Sequence, residues 1–247
     1  MHKIRFIIIA GAILAMLCTP SYAADSSNSD WQFRLAPLYL WAVNMSGDQT
    51  IGPITAPLDL DFDDIFDKLE GVFTINFEAM HNNQWGFLVD FSWIDIGDDQ
   101  SLPSGAKLKV DFTNTLAEVD GLYRVASGEH NIDVLFGLRY TDQETKVDPA
   151  PLKVSQDWVD PIIGARWWWN FADRWGLIVR GDIGGFGVGS DFTWQALALV
   201  DWQPFKNVSF VGGYRALYQD FEDNSSSKAF EYEATLHGPL LGVNIKW

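Results

Sequence analysis

The residues that could support catalysis are few. The sequence holds 4 histidines and 1 cysteine. His81 and His130 fall in short polar turns, where exposed histidines are ordinary, and no serine can be paired with His237 from the sequence alone. Cys18, the only thiol, lies in the N-terminal segment. The sequence therefore predicts no catalytic site, no cofactor and no thiol chemistry.

Acidic residues gather in two stretches that could hold a cation. Carboxylates are the ligands that Ca²⁺ prefers, but neither stretch has the spacing of an EF-hand loop. The expectation is a solvated acidic surface without a metal site, although such a surface could still bind cations that bridge phosphate groups. The stretches contain Asp59, Asp61, Asp63, Asp64, Asp67 and Glu70, and then Asp220, Glu222 and Asp223.

A third group of charges alternates with apolar residues. In residues 132–140, for example, Asp133 and Arg139 fall on one parity, and Val134 and Leu138 fall on the other. This period of two is typical of a β-strand with two unlike faces. On this spacing the charges share one face, where positive and negative signs nearly balance. The predicted set is Arg34, Glu78, Asp90, Glu118, Asp120, Arg124, Asp133, Arg139, Asp160, Arg166, Arg180, Asp182, Asp201 and Arg215, with Lys246 beside them.

The elements that carry these charges are predicted to be about ten antiparallel strands. Short turns alternate with longer loops along the chain, as in a meander of hairpins. An eight-strand alternative would reject two well-patterned segments, and a twelve-strand alternative would promote residues 49–61 to a spanning hairpin. We expect instead that 49–61 extends a strand and that 63–69 forms one or two helical turns.

The first predicted strand covers residues 31–44. Trp31, Tyr39 and Trp41 fall on one parity, which predicts that all three face outward. Pro37 shares that parity but cannot donate to a sheet hydrogen bond, so we expect a local bulge there.

The last stretch, residues 235–247, indicates which solvent the outer face meets. Apolar residues alternate there with polar or small ones, and the chain ends on Trp247. A barrel in a bilayer pairs its last strand with its first, so that no sheet edge meets lipid. The hexapeptide GVNIKW (242–247) resembles the C-terminal assembly signal of bacterial outer-membrane barrels, except that Leu240 stands where a polar residue is usual. The predicted fold class is all-β: a transmembrane, antiparallel, up-and-down β-barrel.

Aromatic residues recur at one end of the predicted strands. A tilted strand rises roughly 2.6 Å per residue along a barrel axis, so an apolar band about 25 Å tall needs about nine to ten residues. Rings at one level beside such a band predict an aromatic girdle at the periplasmic interface. The predicted girdle is Trp31, Trp85, Tyr123, Trp169, Trp175, Trp202 and Trp247.

The N-terminus has the features of a secretory signal. Lys3 and Arg5 precede a short apolar core (6–17), and small residues flank a cleavage position after Ala23. Cleavage after Ala24 and an uncleaved anchor helix are the alternatives. With a formal net charge of −16, binding to nucleic acid is not expected. The predicted organisation is a signal peptide (1–23), a periplasmic tail (24–30) and a barrel (31–247).

Two internal runs carry a family resemblance. DPIIGAR (160–166) and GFGVGSDFTWQA (185–196) resemble a family of uncharacterised bacterial outer-membrane barrel proteins, and with the final strand the resemblance covers most of 31–247. It implies the fold and the outer membrane of a Gram-negative bacterium, but no substrate or activity. In shape the protein is similar to small barrels of the OmpA and OmpW type. The glycine-rich run 184–189 is not followed by a helix, so a tight extracellular bend is expected there rather than a nucleotide loop.

A function follows from the size of the barrel. A small barrel has little room inside beyond its own side chains, and buried charges there must pair or take in water. We expect a largely blocked lumen in an integral protein of structural or surface-interaction type, not an enzyme. Its expected partners are outer-membrane lipid, lipopolysaccharide and, through the last strand, the barrel assembly machinery. The alternatives are a narrow channel for small solutes or ions and a barrel hydrolase acting on lipid or peptide through His237.

Overall fold

The structure is a computed structural model that describes residues 30–101, 107–148, 152–223 and 229–247. The predicted signal peptide (1–23) and all but the last residue of the predicted tail (24–30) lie outside the described residues. The described elements, in chain order, are β1 (Trp31–Ala36), β2 (Tyr39–Trp41), β3 (Asn44–Ile51), β4 (Ile54–Leu60), α1 (Phe62–Lys68), β5 (Leu69–His81), β6 (Trp85–Ser101), β7 (Lys107–Ala126), β8 (His130–Asp148), β9 (Leu152–Ala172), β10 (Trp175–Gly185), β11 (Phe192–Trp202), β12 (Val208–Asp223) and β13 (Phe230–Lys246).

The strands close into a barrel. Each strand from β5 to β13 pairs antiparallel with the next, β1 pairs with β5, and β13 pairs with β1, β2 and β3 in turn. β1, β2 and β3 therefore act together as one wall strand, and the wall has ten strands. The predicted all-β, antiparallel, ten-strand barrel is confirmed. Strand β4 lies outside this count, because it pairs with β3 as a hairpin extension followed by helix α1.

The wall strand formed by β1, β2 and β3 contains a bulge at Pro37. Leu35 is paired with Ile245, but Tyr39 is paired with Gly242. Four steps along one strand thus match three along its neighbour, so one extra residue is accommodated. The backbone N–H of Tyr39 donates to Thr74 Oγ1 at 2.9 Å. The expected bulge is present.

The bulge reverses the alternation that follows it. Tyr39 is 4% exposed and faces the interior, whereas Leu40 is 57% exposed and faces outward. Trp41 also faces inward, because its ring lies beneath an arginine of the lumen. The prediction that Tyr39 and Trp41 face outward is therefore wrong, since an extra residue moves every later side chain to the opposite face.

The two faces of the wall are inverted relative to a water-soluble protein. Large apolar side chains are exposed on the outer face, among them Phe136, Leu138 and Ile163, while arginines and carboxylates are buried inside. A contiguous apolar exterior around a charged interior is the arrangement of a barrel that spans a lipid bilayer. No helix in the described part of the chain has the length and hydropathy needed to cross a membrane.

The interior has apolar clusters toward both ends, with most of the charges between them and Asp201 with Lys246 nearer one end. We call the end with the turns β5–β6, β7–β8, β9–β10 and β11–β12 the short-turn end, and the opposite end the long-loop end. Near the short-turn end, Trp168, Ile178 and Leu240 belong to one buried cluster, and a second contains Met80 and Leu135. The cluster at the long-loop end contains Met45, Trp158, Phe221, Phe230, Tyr232, Ala234 and Leu236.

Candidate functional site: the charged interior of the barrel

The candidate site is the set of charged side chains that the strand alternation directs into the lumen. All fourteen predicted positions lie on the inner face. Arg34 and Arg124 are half-buried. The others are at least nine-tenths buried: Glu78, Asp90, Glu118, Asp120, Asp133, Arg139, Asp160, Arg166, Arg180, Asp182, Asp201 and Arg215.

The first ion-pair group centres on Arg166 of β9. Its guanidinium donates to both oxygens of Glu78, at 2.6 and 3.0 Å, and to Asp133 Oδ2 at 2.7 and 3.0 Å. Arg124 adds two bonds to Asp133, at 2.6 and 3.2 Å, and Arg34 adds one to Glu78 at 3.3 Å. Planar guanidinium groups match carboxylates in this way, so three arginines and two acids lock one another in place.

The second group joins Arg139 and Arg180 to three carboxylates. Arg139 donates to Glu118 at 3.0 Å and to Asp182 at 2.6 Å. Arg180 contacts Glu118, and it lies 3.0 Å from both Asp120 Oδ2 and Asp182 Oδ2. Two guanidinium groups thus lie among three carboxyl groups in this cluster.

The third group links Arg215 of β12 to Asp90 of β6 at 3.1 Å. Tyr39 donates its hydroxyl to the same Asp90 oxygen at 3.0 Å, and Arg215 Nε donates to Gln195 at 2.8 Å. The guanidinium carbon of Arg215 lies 4.6 Å from the centre of the Trp41 ring, within cation–π range. Sequence reasoning missed both aromatic partners, because it placed Tyr39 and Trp41 outside.

Two acids of the predicted set have other partners. Asp160 accepts hydrogen bonds from the backbone N–H and the hydroxyl of Ser190, at 2.6 and 2.8 Å, and from the Trp158 indole at 3.2 Å. It therefore fixes the turn between β10 and β11. Asp201 receives the Lys246 ammonium at 2.8 Å.

Several of these contacts cross the lumen rather than follow its wall. Strands β5 and β9, joined by the Arg166–Glu78 pair, are four positions apart in the ring, and so are β6 and β12, joined by Arg215 and Asp90. Arg34 lies 4.1 Å from the centre of the Trp168 ring on the far wall. These contacts thus connect opposite sides of the barrel at several levels along its axis.

A cavity of about 110 Å³ remains among the charged groups. It is lined by Glu78, Asp90 and Glu118, by the arginines that pair with them, and by aliphatic residues such as Leu199 and Val211. Since a water molecule occupies roughly 30 Å³ in the liquid, the space suits a few waters rather than a solute of drug size.

The apolar cluster at the long-loop end lies inside the barrel, beyond the charged groups. Trp158 stacks on Phe221 with ring centres 4.2 Å apart, and Tyr232 packs against the same indole. Sequence reasoning missed this cluster. The signal was present, since large apolar residues occupy inward positions of β9, β12 and β13 where a water-filled lumen would carry polar ones.

The predicted girdle residues lie on the outer face at the short-turn end. Trp31 and Trp85 meet edge to face at 5.2 Å, and Trp175 stacks on Trp202 at 5.8 Å. Tyr123 is paired in register with Trp85. Trp247 stacks on Phe33 at 5.5 Å, and Trp169 is paired with His130.

The three histidines of the described chain, His81, His130 and His237, lie away from the lumen. His237 Nδ1 is 2.6 Å from the Tyr214 hydroxyl on the outer face. His81 and His130 pack against tryptophan rings. Among the described residues, no group of three or more His, Cys, Asp or Glu side chains could hold a metal ion.

An acidic row crosses the outer face of the long-loop end. Glu233 of β13 is paired in register with Asp48 of β3 on one side and with Asp220 of β12 on the other. Partial burial, and then the neighbouring carboxylates led by Glu233, raise the pKa of Asp220. On the β8–β9 side, hydrogen bonds from Lys146 and Lys153 hold the pKa of Glu144 below its usual range.

No protein-family model matches the sequence, and no curated protein sequence matches it. Among solved structures, the chain is similar to the outer membrane protease OmpT of Escherichia coli, with a TM-score of 0.55 and 7% identity over 92% of this chain and 100% of OmpT. The fold is that of an outer-membrane β-barrel. The attachment invasion locus protein Ail of Yersinia pestis gives a TM-score of 0.39 and 12% identity over 88% of this chain and 97% of Ail. Neisserial surface protein A gives 0.36 and 13% over 89% of this chain and 98% of that protein.

Proposed function

We propose that this protein is an integral, non-enzymatic protein of the bacterial outer membrane. It has a closed lumen and a structural or surface-interaction role. The observation that carries the proposal is the set of ion pairs across the lumen, typified by Arg166 with Glu78 and by Arg215 with Asp90. An open porin keeps its lumen polar and filled with water, whereas here arginines and apolar clusters fill it.

The outer face supports the proposed location. Its apolar band is bounded at the short-turn end by paired rings such as Trp175 and Trp202, as expected where strands leave the hydrocarbon layer. On this orientation the short turns are periplasmic and the long-loop end is extracellular. Strand β13 forms the seam with β1, β2 and β3, which makes it the natural contact for the barrel assembly machinery.

Lipopolysaccharide is the proposed partner at the extracellular end. The row formed by Asp48, Glu233 and Asp220 sets like charges directly opposite one another, which is destabilising in an antiparallel sheet. Divalent cations shared with lipid phosphates would relieve that repulsion.

Single-channel recording in planar bilayers tests the closed lumen. We expect no stable openings from the folded full chain, because every path along the lumen meets an ion pair or an apolar cluster. Insertion is verified on the same sample by protection of the barrel from added protease. Stable, ohmic openings by protected protein would overturn the closed-lumen proposal.

A narrow ion path is the second candidate, and the cavity of about 110 Å³ beside Arg34 and Arg215 favours it. It predicts small, ion-selective openings that a wide pore would not give. The presence or absence of openings in the same recordings separates the two candidates, and the reversal potential under a salt gradient then shows whether any openings are ion-selective.

A further inference from the structure

The turn between β10 and β11 presents large apolar side chains to the exterior. Val188 is 73% exposed and Phe186 is 56% exposed. Phe186 has a φ of +53°, in the left-handed region that bulky residues avoid. The turn therefore holds an aromatic ring outward in spite of a conformational cost.

The turn is fixed in this arrangement. Ser190 is fully buried, and both its backbone N–H and its hydroxyl donate to Asp160 inside the barrel. Val188 N donates to the Gly185 carbonyl at 3.0 Å. Gly185 has a φ of +85°, and a Cβ there would lie 2.6 Å from the Ser190 carbonyl oxygen. A tight, glycine-dependent backbone thus presents the two apolar side chains at a set position.

The turn lies at the height where the apolar band ends. Strands β10 and β11 have 11 residues each, whereas β8 and β9 have 19 and 21. From Trp175 in the girdle to Gly185, β10 climbs roughly 26 Å at about 2.6 Å per residue, which matches a band about 25 Å tall. Strand β9 continues for ten residues beyond Ile162, which is paired with Gly184, and β12 continues for three residues beyond Asp220, which is paired with Phe192.

The exposed apolar surface is continuous with the band below it. Ile183 and Phe192, at the two ends of the turn, are 47% and 42% exposed. Between Ile183 and Phe192 the one charged side chain is that of Asp191, and the one hydroxyl, on Ser190, is turned inward. A docking site for a soluble protein has a polar rim around its apolar centre, and a single carboxylate at one edge does not form such a rim.

We propose that the β10–β11 turn is inserted in the outer leaflet, with Phe186 and Val188 in contact with lipid acyl chains. The membrane then covers this side of the barrel up to and including its end, while the β8–β9 and β12–β13 hairpins stand in water. The proposal rests on the proposed membrane location, and it adds lipid acyl chains as the partner of the β10–β11 turn.

Site-specific labelling tests the proposal on the full chain. Cys18 is replaced by Ser, and an environment-sensitive fluorophore is attached to Val188→Cys in phosphatidylcholine vesicles. Val179→Cys, in the middle of the same strand's outer face, is the membrane control. Pro53→Cys, at the exposed tip of the β3–β4 hairpin, is the aqueous control. We expect the Val188 label to be quenched by spin-labelled acyl chains like the Val179 label, and to be several-fold less sensitive to iodide than the Pro53 label.

Three outcomes would overturn the inference, and they are distinguishable. If the Val188 label is as open to iodide as the Pro53 label while the Val179 label stays protected, the turn stands in water and the barrel is still in the membrane. If protection at Val188 disappears when the protein is diluted in lipid, a second copy of the chain is the occupant. If the Val179 label is open to iodide as well, the barrel does not span the bilayer and the proposed function fails too.

Discussion

Each buried guanidinium is stable in the lumen because its N–H groups meet carboxylates. Moving a charge out of water is costly, and a nearby opposite charge offsets that cost only with good geometry. Arg166 meets the condition with two bonds to Glu78 and two to Asp133. The network is therefore cooperative, since removal of one member leaves its partners charged and buried.

We predict that Arg166→Leu lowers the free energy of unfolding by about 3 kcal/mol or more, the usual cost of breaking a buried ion pair from one side. Arg166→Lys should lie between Leu and the native protein, because it keeps the charge and loses the planar fork. Urea unfolding in detergent measures the free energy of unfolding of both variants. Arg174→Leu, on the exposed β9–β10 turn, is the matched control and should change little. An unchanged midpoint for Arg166→Leu would contradict a structural role for the network.

Most residues of the network could be predicted, because each lies within a stretch of strand where the alternation is locally unbroken. Asp133 and Arg139, for instance, share a parity that β8 preserves from end to end. Their partners could not be predicted, since the choice of Glu78 for Arg166 depends on the curvature and tilt of the wall. Local periodicity records which face a residue occupies, but not which opposite strand it meets.

At the scale of elements, the bulge at Pro37 decides what the first wall strand contributes. Before it, Arg34 points inward on an even position; after it, Tyr39 and Trp41 point inward on odd ones. Near Pro37 the residues of both parities are mostly apolar, so the pattern in residues 31–44 did not indicate which face each side chain occupies. A proline can indicate that a bulge is present, but not how many residues the bulge absorbs.

We predict that deleting Leu38 destabilises the barrel little more than Leu38→Ala. The deletion removes the extra residue of the bulge, so a regular strand would still pair Tyr39 with Gly242 and keep its hydrogen bond to Asp90. Arg215 would keep the Trp41 ring for the same reason. Thermal unfolding followed by circular dichroism compares the two variants. A far lower melting temperature for the deletion would show that the bulge itself stabilises the wall.

At the scale of the whole molecule, two tryptophans lie inside the lumen toward its two ends. Trp158 stacks on Phe221 toward the long-loop end, and Trp168 lies beneath Arg34 toward the short-turn end. Most of the charged groups lie between them. In the proposed closed lumen both indoles block the path, so the loss of one would leave the other in place.

We predict that the double variant Trp158→Ala/Trp168→Ala gives frequent ion-channel openings in planar bilayers. Two indoles leave the interior, and each leaves a space that the rigid wall cannot fully collapse. The matched control is Trp167→Ala/Trp169→Ala, which removes two stacked indoles of the same strand region from the outer face. It should stay silent. Silence from both variants, or openings from both, would contradict the assigned closures.

The seam of the wall also has a consequence for the rate of assembly. Asn44 donates to the carbonyl of His237, 193 residues away, and the Arg215–Asp90 pair spans 125 residues. Contacts between such distant parts of a chain form late, because a long loop must close before any of them contributes. The polypeptide must therefore bend almost into a complete ring while its guanidinium groups are still hydrated. Removal of the water that surrounds these guanidinium groups, rather than formation of individual hairpins, should be the slow step of folding.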